Sequence, residues 1–435
     1  MADAETTERD RHQDVKQPEK PKLLQILGPG LITGASDDDP SGIATYSQAG
    51  AQFGYDMGWT LLFSWPLMCA IQEISAHIGR VTGHGIAGNL KRHYPRALLY
   101  PIVLLLVAAN TINLGADLGA MAAGLGLLVK GPQLLFVALF AMLSLLLEVF
   151  VRYSRYVSVL KWLTLALFAY DGVALVVKVP WGEVVHHLIA PRISFKADYL
   201  TVVVAMLGTT ISPYLFFWQA EEEVDEVRER ADAKPLERAP EQAKKEFRRI
   251  RIDTYVGMGL SNVVALFIVI STAATLHAHG ITNIQTSSQA AEALRPIAGP
   301  LVFAVFALGI VGTGLLAVPV LAGSAAYAVG EAFGIHVGLA RKLLRAKAFY
   351  AILAVLMILG ALLNFTPIDP IKALFWSAVI NGVVAVPVMV LMMLMASKKA
   401  VMTRFVLPIP LRIVGWAATG VMAAAAVGMF ATWGS

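Results

Sequence analysis

Three consecutive aspartates interrupt an apolar stretch near the start of the chain. The segment GASDDDPSGIATYSQAGAQFGY, residues 34–55, places Asp37, Asp38 and Asp39 directly before Pro40. An aspartate at the centre of a transmembrane helix costs about 2.5–3.5 kcal/mol, so the three together oppose insertion by about 8–10 kcal/mol. Ionisable groups inside a membrane mark ion pathways and proton relays, so these residues are candidates for function.

A second apolar stretch is interrupted in a similar way, because GTTISPY, residues 208–214, places Ser212 before Pro213. Proline lacks the backbone N–H and clashes with the preceding turn, so both helices should unwind at their prolines. Unwound backbone at membrane depth is tolerated where it lines a cavity, and its carbonyl groups can then bind a cation. Asp39, beside Pro40, is therefore predicted to be the charged ligand of a cation site.

The surrounding composition is that of a polytopic membrane protein. The chain has 435 residues, of which 57% are hydrophobic and 15% are charged, whereas soluble domains contain about 25% charged residues. Apolar runs of about 17–25 residues predict about eleven transmembrane helices. These runs lie near residues 25–52, 57–79, 98–130, 132–150, 157–178, 198–220, 255–277, 299–333, 348–367, 371–396 and 412–433.

The two interruptions fall in the first and the sixth predicted helices. Matching breaks in two halves of a chain are typical of transporters that are built from inverted repeats and bind their substrate at the membrane midplane. The predicted fold is therefore all-α and polytopic, with two inverted repeats of five helices, broken helices 1 and 6, and one added helix. The predicted boundaries are 24–180 for the first repeat, 181–197 for an external loop, 198–396 for the second repeat and 397–435 for a loop and helix 11.

The charged residues predict the topology. Most Lys and Arg residues lie in short loops that share one side when the amino terminus is cytoplasmic, so the net charge of +5 reflects orientation and not nucleic-acid binding. The carboxyl terminus is then external, and the expected location is a bacterial-type inner membrane. Residues 1–23 are predicted to form a disordered cytosolic tail. The charged cytosolic segment 221–253 is predicted to be a solvated helical extension and linker, because it mixes both signs of charge.

The first broken segment resembles the corresponding segment of a known transporter family. GPGLITGASDDDPSGIATYSQAGAQFGY, residues 28–55, looks like the first transmembrane helix of the NRAMP divalent-metal transporters, whose pattern there is Asp-Pro-Gly-Asn. The resemblance implies the LeuT-like fold and a metal site made by the Asp and Asn of helix 1 and a Met of helix 6. By position, the Asp is kept as Asp39, the Asn becomes Gly42 and the Met becomes Ser212.

These departures predict a preference for hard cations. A thioether favours soft transition metals, whereas oxygen ligands suit Mg²⁺ and Mn²⁺. Mg²⁺ dehydrates reluctantly, so it should prefer a roomier site that contains only oxygen ligands. The chain is thus similar to the NRAMP-related magnesium transporter branch. The resemblance assigns the metal to Asp39, to the freed carbonyls of Ser36 and Thr209 and to Ser212, with Gly42 giving space. Candidates for the ion pathway are Asp37, Asp38, Tyr214, Gln219, Asp117 and Asn381.

Proton coupling is predicted to be weak or absent. Proton-coupled members of the family use an acidic pair on helix 3 and a histidine on helix 6. In this chain the first acid persists as Asp117, but the second position is Ala120 and the histidine is replaced by Tyr214. A tyrosine titrates near pH 10, so few groups remain to relay protons near neutral pH.

The sequence leaves other functions open. They are a proton-coupled Mn²⁺ or Fe²⁺ symporter, a Na⁺-coupled amino-acid carrier and an intramembrane metalloenzyme. A carboxylate at the break would repel an amino-acid substrate, and no His-Glu-x-x-His pattern of a metalloprotease is present. The expectation is therefore a transporter and not an enzyme. It needs no cofactor, its partners are divalent metal ions and the lipid bilayer, and neither nucleic acid nor an obligate protein partner is expected.

Overall fold

The computed structural model describes residues 33–34, 36–151, 167–230, 232–339 and 346–433. The predicted tail 1–23, most of the first half of span one, the first part of span five and the loop 340–345 lie outside these described residues. Within them the chain forms helices and no strand. This observation agrees with the predicted all-α class.

The main helices follow the predicted spans. They are α1 Pro40–Phe53, α2 Gly58–Thr82, α3 Ile86–His93, α4 Arg96–Gly126, α5 Gln133–Phe150, α6 Phe168–Val176, α7 Trp181–Ile189, α8 Ala197–Thr210, α9 Pro213–Glu229, α10 Ala243–Thr275, α11 Val302–Phe333, α12 Lys347–Leu363, α13 Pro370–Ala396 and α14 Ile409–Thr432. Short helices also form at Ser287–Glu292, Arg295–Ala298 and Lys399–Met402. The predicted external loop 181–197 thus contains helix α7.

Among the described residues, seven helices are long and apolar enough to cross a membrane, counting the broken pair α8–α9 as one. These seven spans contain the helices α4, α5, α8–α9, α10, α11, α13 and α14. Helix α12 is apolar but has 17 residues, α1 is the second half of a broken span, and α6 is the described end of span five. Helix α2 lies in the second predicted span, so each of the eleven predicted spans contains a helix among the described residues.

Both predicted helix breaks are present. Asp39 adopts an extended backbone with φ −67° and ψ 169° immediately before α1, which begins at Pro40. Ser212 is also extended, with φ −81° and ψ 134°, and α9 begins at Pro213. Each proline occupies the first position of its helix, where a backbone N–H is not needed.

The broken helices lie inside the bundle. Helix α1 packs against α10, α13 and α8, and α9 packs against α2 and α11. Gly208 of α8 allows a close crossing with α13, because a β-carbon there would lie 2.1 Å from the Ala378 carbonyl oxygen. Small residues at helix crossings let membrane helices approach closely. The two breaks are therefore held at the centre of the fold.

The charged segment 221–253 differs from its prediction as a solvated linker. Its first residues continue α9, and Glu223 is fully buried. The Arg249 guanidinium lies 2.5 Å from Glu223 and 2.9 Å from Glu246, and Arg80 of α2 lies 3.2 Å from Glu246. Opposite charges that pair and hydrogen-bond can be buried, so this part of the mixed-sign segment joins α2, α9 and α10.

Candidate metal-binding site

The first break is built around the Asp39 carboxylate. Its Oδ1 atom accepts hydrogen bonds from the Gly42 backbone N–H and the Ser41 hydroxyl, both at 2.7 Å. These contacts make Asp39 the N-cap of α1, because its side chain satisfies a backbone N–H that the helix leaves unpaired. The break thus fixes the position of a buried carboxylate.

The other carboxylate oxygen faces two neighbouring helices. Asn113 of α4 donates a hydrogen bond from Nδ2 to Asp39 Oδ2 at 3.0 Å. Ser377 of α13 donates in turn to Asn113 Oδ1 at 2.6 Å. Sequence reasoning missed both residues. For Asn113 a signal existed, since it shares a face of the apolar helix α4 with Asn110 and Asp117 at helical spacing.

Ser212 completes the second break. Its hydroxyl lies 2.6 Å from the Gly208 carbonyl oxygen and 2.9 Å from the Thr209 carbonyl oxygen. Pro213 has no N–H, so it cannot bond the Thr209 carbonyl as the next residue of a continuous helix would. The hydroxyl compensates for that loss, and the Thr209 carbonyl that was predicted to be free of the helix pairs with Ser212.

Tyr214, at the start of α9, contacts residues of the first break. Its hydroxyl lies 3.2 Å from the Ser36 carbonyl oxygen and 3.4 Å from Asp39 Oδ2. Both oxygens are predicted metal ligands, and the tyrosine hydroxyl lies between them. A cation that binds both must therefore displace this hydroxyl or share the oxygens with it.

Gly42 lies where α1 approaches the second break. A β-carbon on Gly42 would lie 3.1 Å from Thr209 Oγ1, 3.2 Å from the Asp37 carbonyl oxygen and 3.3 Å from the Tyr46 ring. The glycine permits this close approach. The sequence also predicts that Gly42 widens the ion site, and this stays a prediction.

Three of the other pathway candidates occupy different places around the site. Asp117 is fully buried and lies near Asp39, and no side chain of the described residues donates a hydrogen bond to it. Gln219 accepts a hydrogen bond from the Thr33 hydroxyl at 2.6 Å. Asn381 is buried, and its amide has no hydrogen-bond partner in the described part of the chain.

Asp37 and Asp38 share one partner on α10. The Ser261 hydroxyl lies 2.8 Å from Asp37 Oδ2 and 3.1 Å from Asp38 Oδ1. The two carboxyl groups are buried, as is the hydroxyl between them. They lie on the amino-terminal side of the break, next to the Asp39 site.

The site is acidic, and no basic residue in the described part of the chain pairs with it. Within the described ranges, no Lys, Arg or His forms an ion pair with Asp37, Asp38, Asp39 or Asp117. Those ranges also contain no group of three His, Cys, Asp or Glu residues arranged as a metal cage. Buried carboxylates without positive partners are costly, so the site suits a cation held by one carboxylate with carbonyl, hydroxyl and water oxygens.

Known proteins resemble the chain over most of its length. The divalent metal cation transporter MntH of Burkholderia ambifaria is 26% identical over 411 residues, which cover 92% of this chain and 87% of that relative. A crystal structure of the Eremococcus coleocola manganese transporter matches with a TM-score of 0.73 at 17% identity, covering 96% of this chain and 89% of the other. MhsT in complex with L-phenylalanine matches with a TM-score of 0.64 at 13% identity, covering 93% and 98%.

The structural matches confirm the predicted LeuT-like fold. The two metal-related proteins are named as transporters, which agrees with the prediction of a transporter and not an enzyme. A family model described as natural resistance-associated macrophage protein-like matches residues 30–432. Because that match spans nearly the whole chain, the protein belongs to the natural resistance-associated macrophage protein family.

Proposed function

We propose that this protein imports Mg²⁺ and Mn²⁺ by alternating access, without strong proton coupling, as a member of the magnesium-transporting branch of its family. The single observation that carries the proposal is the chemistry around Asp39. The side chains that hydrogen-bond its carboxylate are the hydroxyls of Ser41 and Tyr214 and the amide of Asn113.

This set of donors favours hard cations. Carboxylate, carbonyl and hydroxyl oxygens are the ligands that Mg²⁺ and Mn²⁺ prefer, and a thioether would favour softer metals. Ser212 stands where the family has its methionine, and its hydroxyl lies against backbone carbonyls at the second break. The metal-related relatives are named for divalent metal and manganese transport, which supports a divalent cation as the substrate.

The same groups suit a partly hydrated ion. Mg²⁺ usually keeps several of its waters and binds proteins through one or two carboxylates. In this proposal Asp39 binds the ion directly, and the carbonyls of Ser36 and Thr209 bind it directly or through its waters. Asn113 holds the Asp39 carboxylate in position, and Ser377 holds Asn113. The Tyr214 hydroxyl moves aside or binds a metal-bound water.

The proposed mechanism needs no proton. By the resemblance to the family, Ala120, which is buried, stands at the position of the second acid of proton-coupled members, and Tyr214 stands at the position of their histidine. A membrane potential of 100 mV supplies about 4.6 kcal/mol for a dication, twice the single-charge value, so inward movement needs no second driving ion. The proposed orientation has a cytoplasmic amino terminus and an external carboxyl terminus in a bacterial-type inner membrane, with repeats at 24–180 and 198–396.

Ion uptake into proteoliposomes tests this function. The purified protein is reconstituted, an inside-negative potential is applied, and internal dyes report Mg²⁺, Mn²⁺ and pH. We expect saturable uptake of both metals with no internal acidification. Uptake of Mn²⁺ with acidification and without Mg²⁺ would contradict the proposal.

That contrary result would support the second candidate, a proton-coupled Mn²⁺ or Fe²⁺ symporter. One observation favours it. Asp117 is buried near Asp39 and has no side-chain hydrogen-bond donor among the described residues, so it is a candidate to carry a proton and to release it when a metal binds beside it. Substitution Asp117→Asn separates the two mechanisms, because it should abolish acidification in a symporter and change little in an uncoupled transporter.

A further inference from the structure

The contact between Asp37, Asp38 and Ser261 is not explained by a single ion at Asp39. Ser261 has one hydroxyl proton, so it can donate a hydrogen bond to one carboxylate at a time. Its oxygen nevertheless lies within hydrogen-bond distance of an oxygen of each carboxyl group, at 2.8 and 3.1 Å. The second contact brings two acceptors together, so it needs either a proton on one carboxyl group or a bound cation to stabilise it.

No basic side chain among the described residues supplies a positive charge to the Asp37–Asp38 pair. In the described ranges neither Asp37 nor Asp38 has a basic partner within ion-pair distance. Asp38 also experiences the charge of Asp171. Burying an ion without a partner costs several kcal/mol, so two adjacent carboxylates require neutralisation by protons or by a bound cation.

Two buried polar atoms beside the pair also lack partners. Asp37 Oδ1 has no hydrogen-bond partner in the described part of the chain, and the side chain is fully buried. The Tyr46 hydroxyl is fully buried as well, interacts electrostatically with Asp37 and Asp38, and meets no partner with hydrogen-bond geometry among the described residues. The Thr209 side chain interacts with this hydroxyl, but without full hydrogen-bond geometry. Unpaired buried oxygens of this kind are costly unless a ligand satisfies them.

We propose that Asp37, Asp38 and Ser261 form a second site for a divalent cation, next to the Asp39 site. The inference rests on the proposed transport of divalent cations. The two carboxylates supply the charge, the Ser261 hydroxyl and the Tyr46 hydroxyl supply further oxygens or bind metal waters, and the set is one that Mg²⁺ and Mn²⁺ accept. The transported ion occupies this second site after or before it occupies the Asp39 site.

Two neighbouring sites would help an ion to leave. Cations in adjacent sites repel each other, and conduction through multi-site pores uses that repulsion to combine selective binding with rapid release. The consecutive aspartates then have separate tasks: Asp39 selects the ion at the break, and Asp37 and Asp38 hold it one step away. Loss of the second site should therefore slow transport more than it weakens binding at Asp39.

Calorimetric titration of the full-length protein in detergent with Mn²⁺ tests this inference. We expect two bound equivalents for the wild type and one for the double variant Asp37→Asn with Asp38→Asn. Asp39→Asn should also retain one equivalent. The milder Ser261→Ala variant should keep two equivalents and weaken one of them by about tenfold. Glu148→Gln, which removes a different buried carboxyl group, is the matched control and should keep both.

The outcomes separate this inference from the proposed function. One equivalent in the wild type that disappears in Asp39→Asn would overturn the second site, because the acidic pair would then be neutralised by a proton alone, and would leave the proposed function intact. Two equivalents in the double variant would also overturn it. If the wild type binds no Mn²⁺ or Mg²⁺, the proposed function itself fails. Elution volume and melting temperature of each variant show that it is folded.

Discussion

Substitution of Gly42 by alanine tests the packing of the two breaks. The added methyl group would lie 3.1 Å from Thr209 Oγ1, 3.2 Å from the Asp37 carbonyl oxygen and 3.3 Å from the Tyr46 ring. The threonine hydroxyl can rotate, but the carbonyl belongs to the backbone of the first break and can yield only if that break shifts. Overpacking of this kind costs about 1–3 kcal/mol. Alanine recovers up to about 1 kcal/mol of helix propensity.

The expected net loss of stability is about 1–2 kcal/mol, or a fall in melting temperature of about 1–4 °C for a large chain. Melting in detergent by intrinsic fluorescence measures it. Gly420→Ala is the matched control, because no atom beyond its own stretch of α14 lies within 4 Å of the added carbon, and it should melt at or slightly above the wild-type temperature. If Gly42→Ala melts at as high a temperature as the control, the inference that the two breaks pack closely at Gly42 is refuted.

Three further predictions concern the residues around the site. Asp39→Ala should unfold about 1 kcal/mol more easily than Asp39→Asn, because both lose the charge but asparagine keeps the N-cap; equal melting temperatures would contradict the capping role. Asn113→Leu should raise the KM for Mg²⁺ uptake by about 10–100-fold with a smaller effect on the melting temperature, because Asn113 orients the Asp39 carboxylate; an unchanged KM would exclude that role. Ser212→Met with Gly42→Asn should shift uptake from Mg²⁺ toward Mn²⁺ or other transition metals, as competition assays would show, whereas unchanged selectivity would exclude control by the two positions.

The architecture was predictable because its causes are local. Pro40 and Pro213 each remove a backbone donor, which weakens the helix beside them, and each follows a polar residue that can end the preceding turn. Proline alone is not sufficient, since Pro66, Pro101, Pro319 and Pro387 lie inside continuous helices. The extended backbone of Asp39 and Ser212 follows from the same cause. The length and hydropathy of the apolar runs likewise depend on the bilayer and not on particular contacts.

The partners of Asp39 were not predictable in the same way. Asn113 is distant from Asp39 in the sequence and Ser377 is farther still, and their side chains meet only when α4 and α13 pack beside α1. A single Asn or Ser in an apolar helix is compatible with many interhelical hydrogen bonds. Ser261 was missed for the same reason, although it is the residue that links Asp37 to Asp38.

The charged segment shows a different reason for failure. Mixed charges along 221–229 suit a solvated surface when they are considered alone. The structure instead buries Glu223 against Arg249, because α9 and α10 both pack against α2 and α10 supplies the opposite charge. Only the packing of the helices determines whether such charges face water or each other.

The most direct test of the central claim is Mg²⁺ uptake by proteoliposomes that contain either the wild type or Asp39→Asn, under the same inside-negative potential. Asparagine keeps the shape and the capping oxygen of aspartate, so the comparison removes little besides the charge. The proposed function predicts saturable uptake by the wild type and none above the empty-liposome level by the variant. Uptake by Asp39→Asn at the wild-type rate would show that the cation does not pass through the Asp39 site.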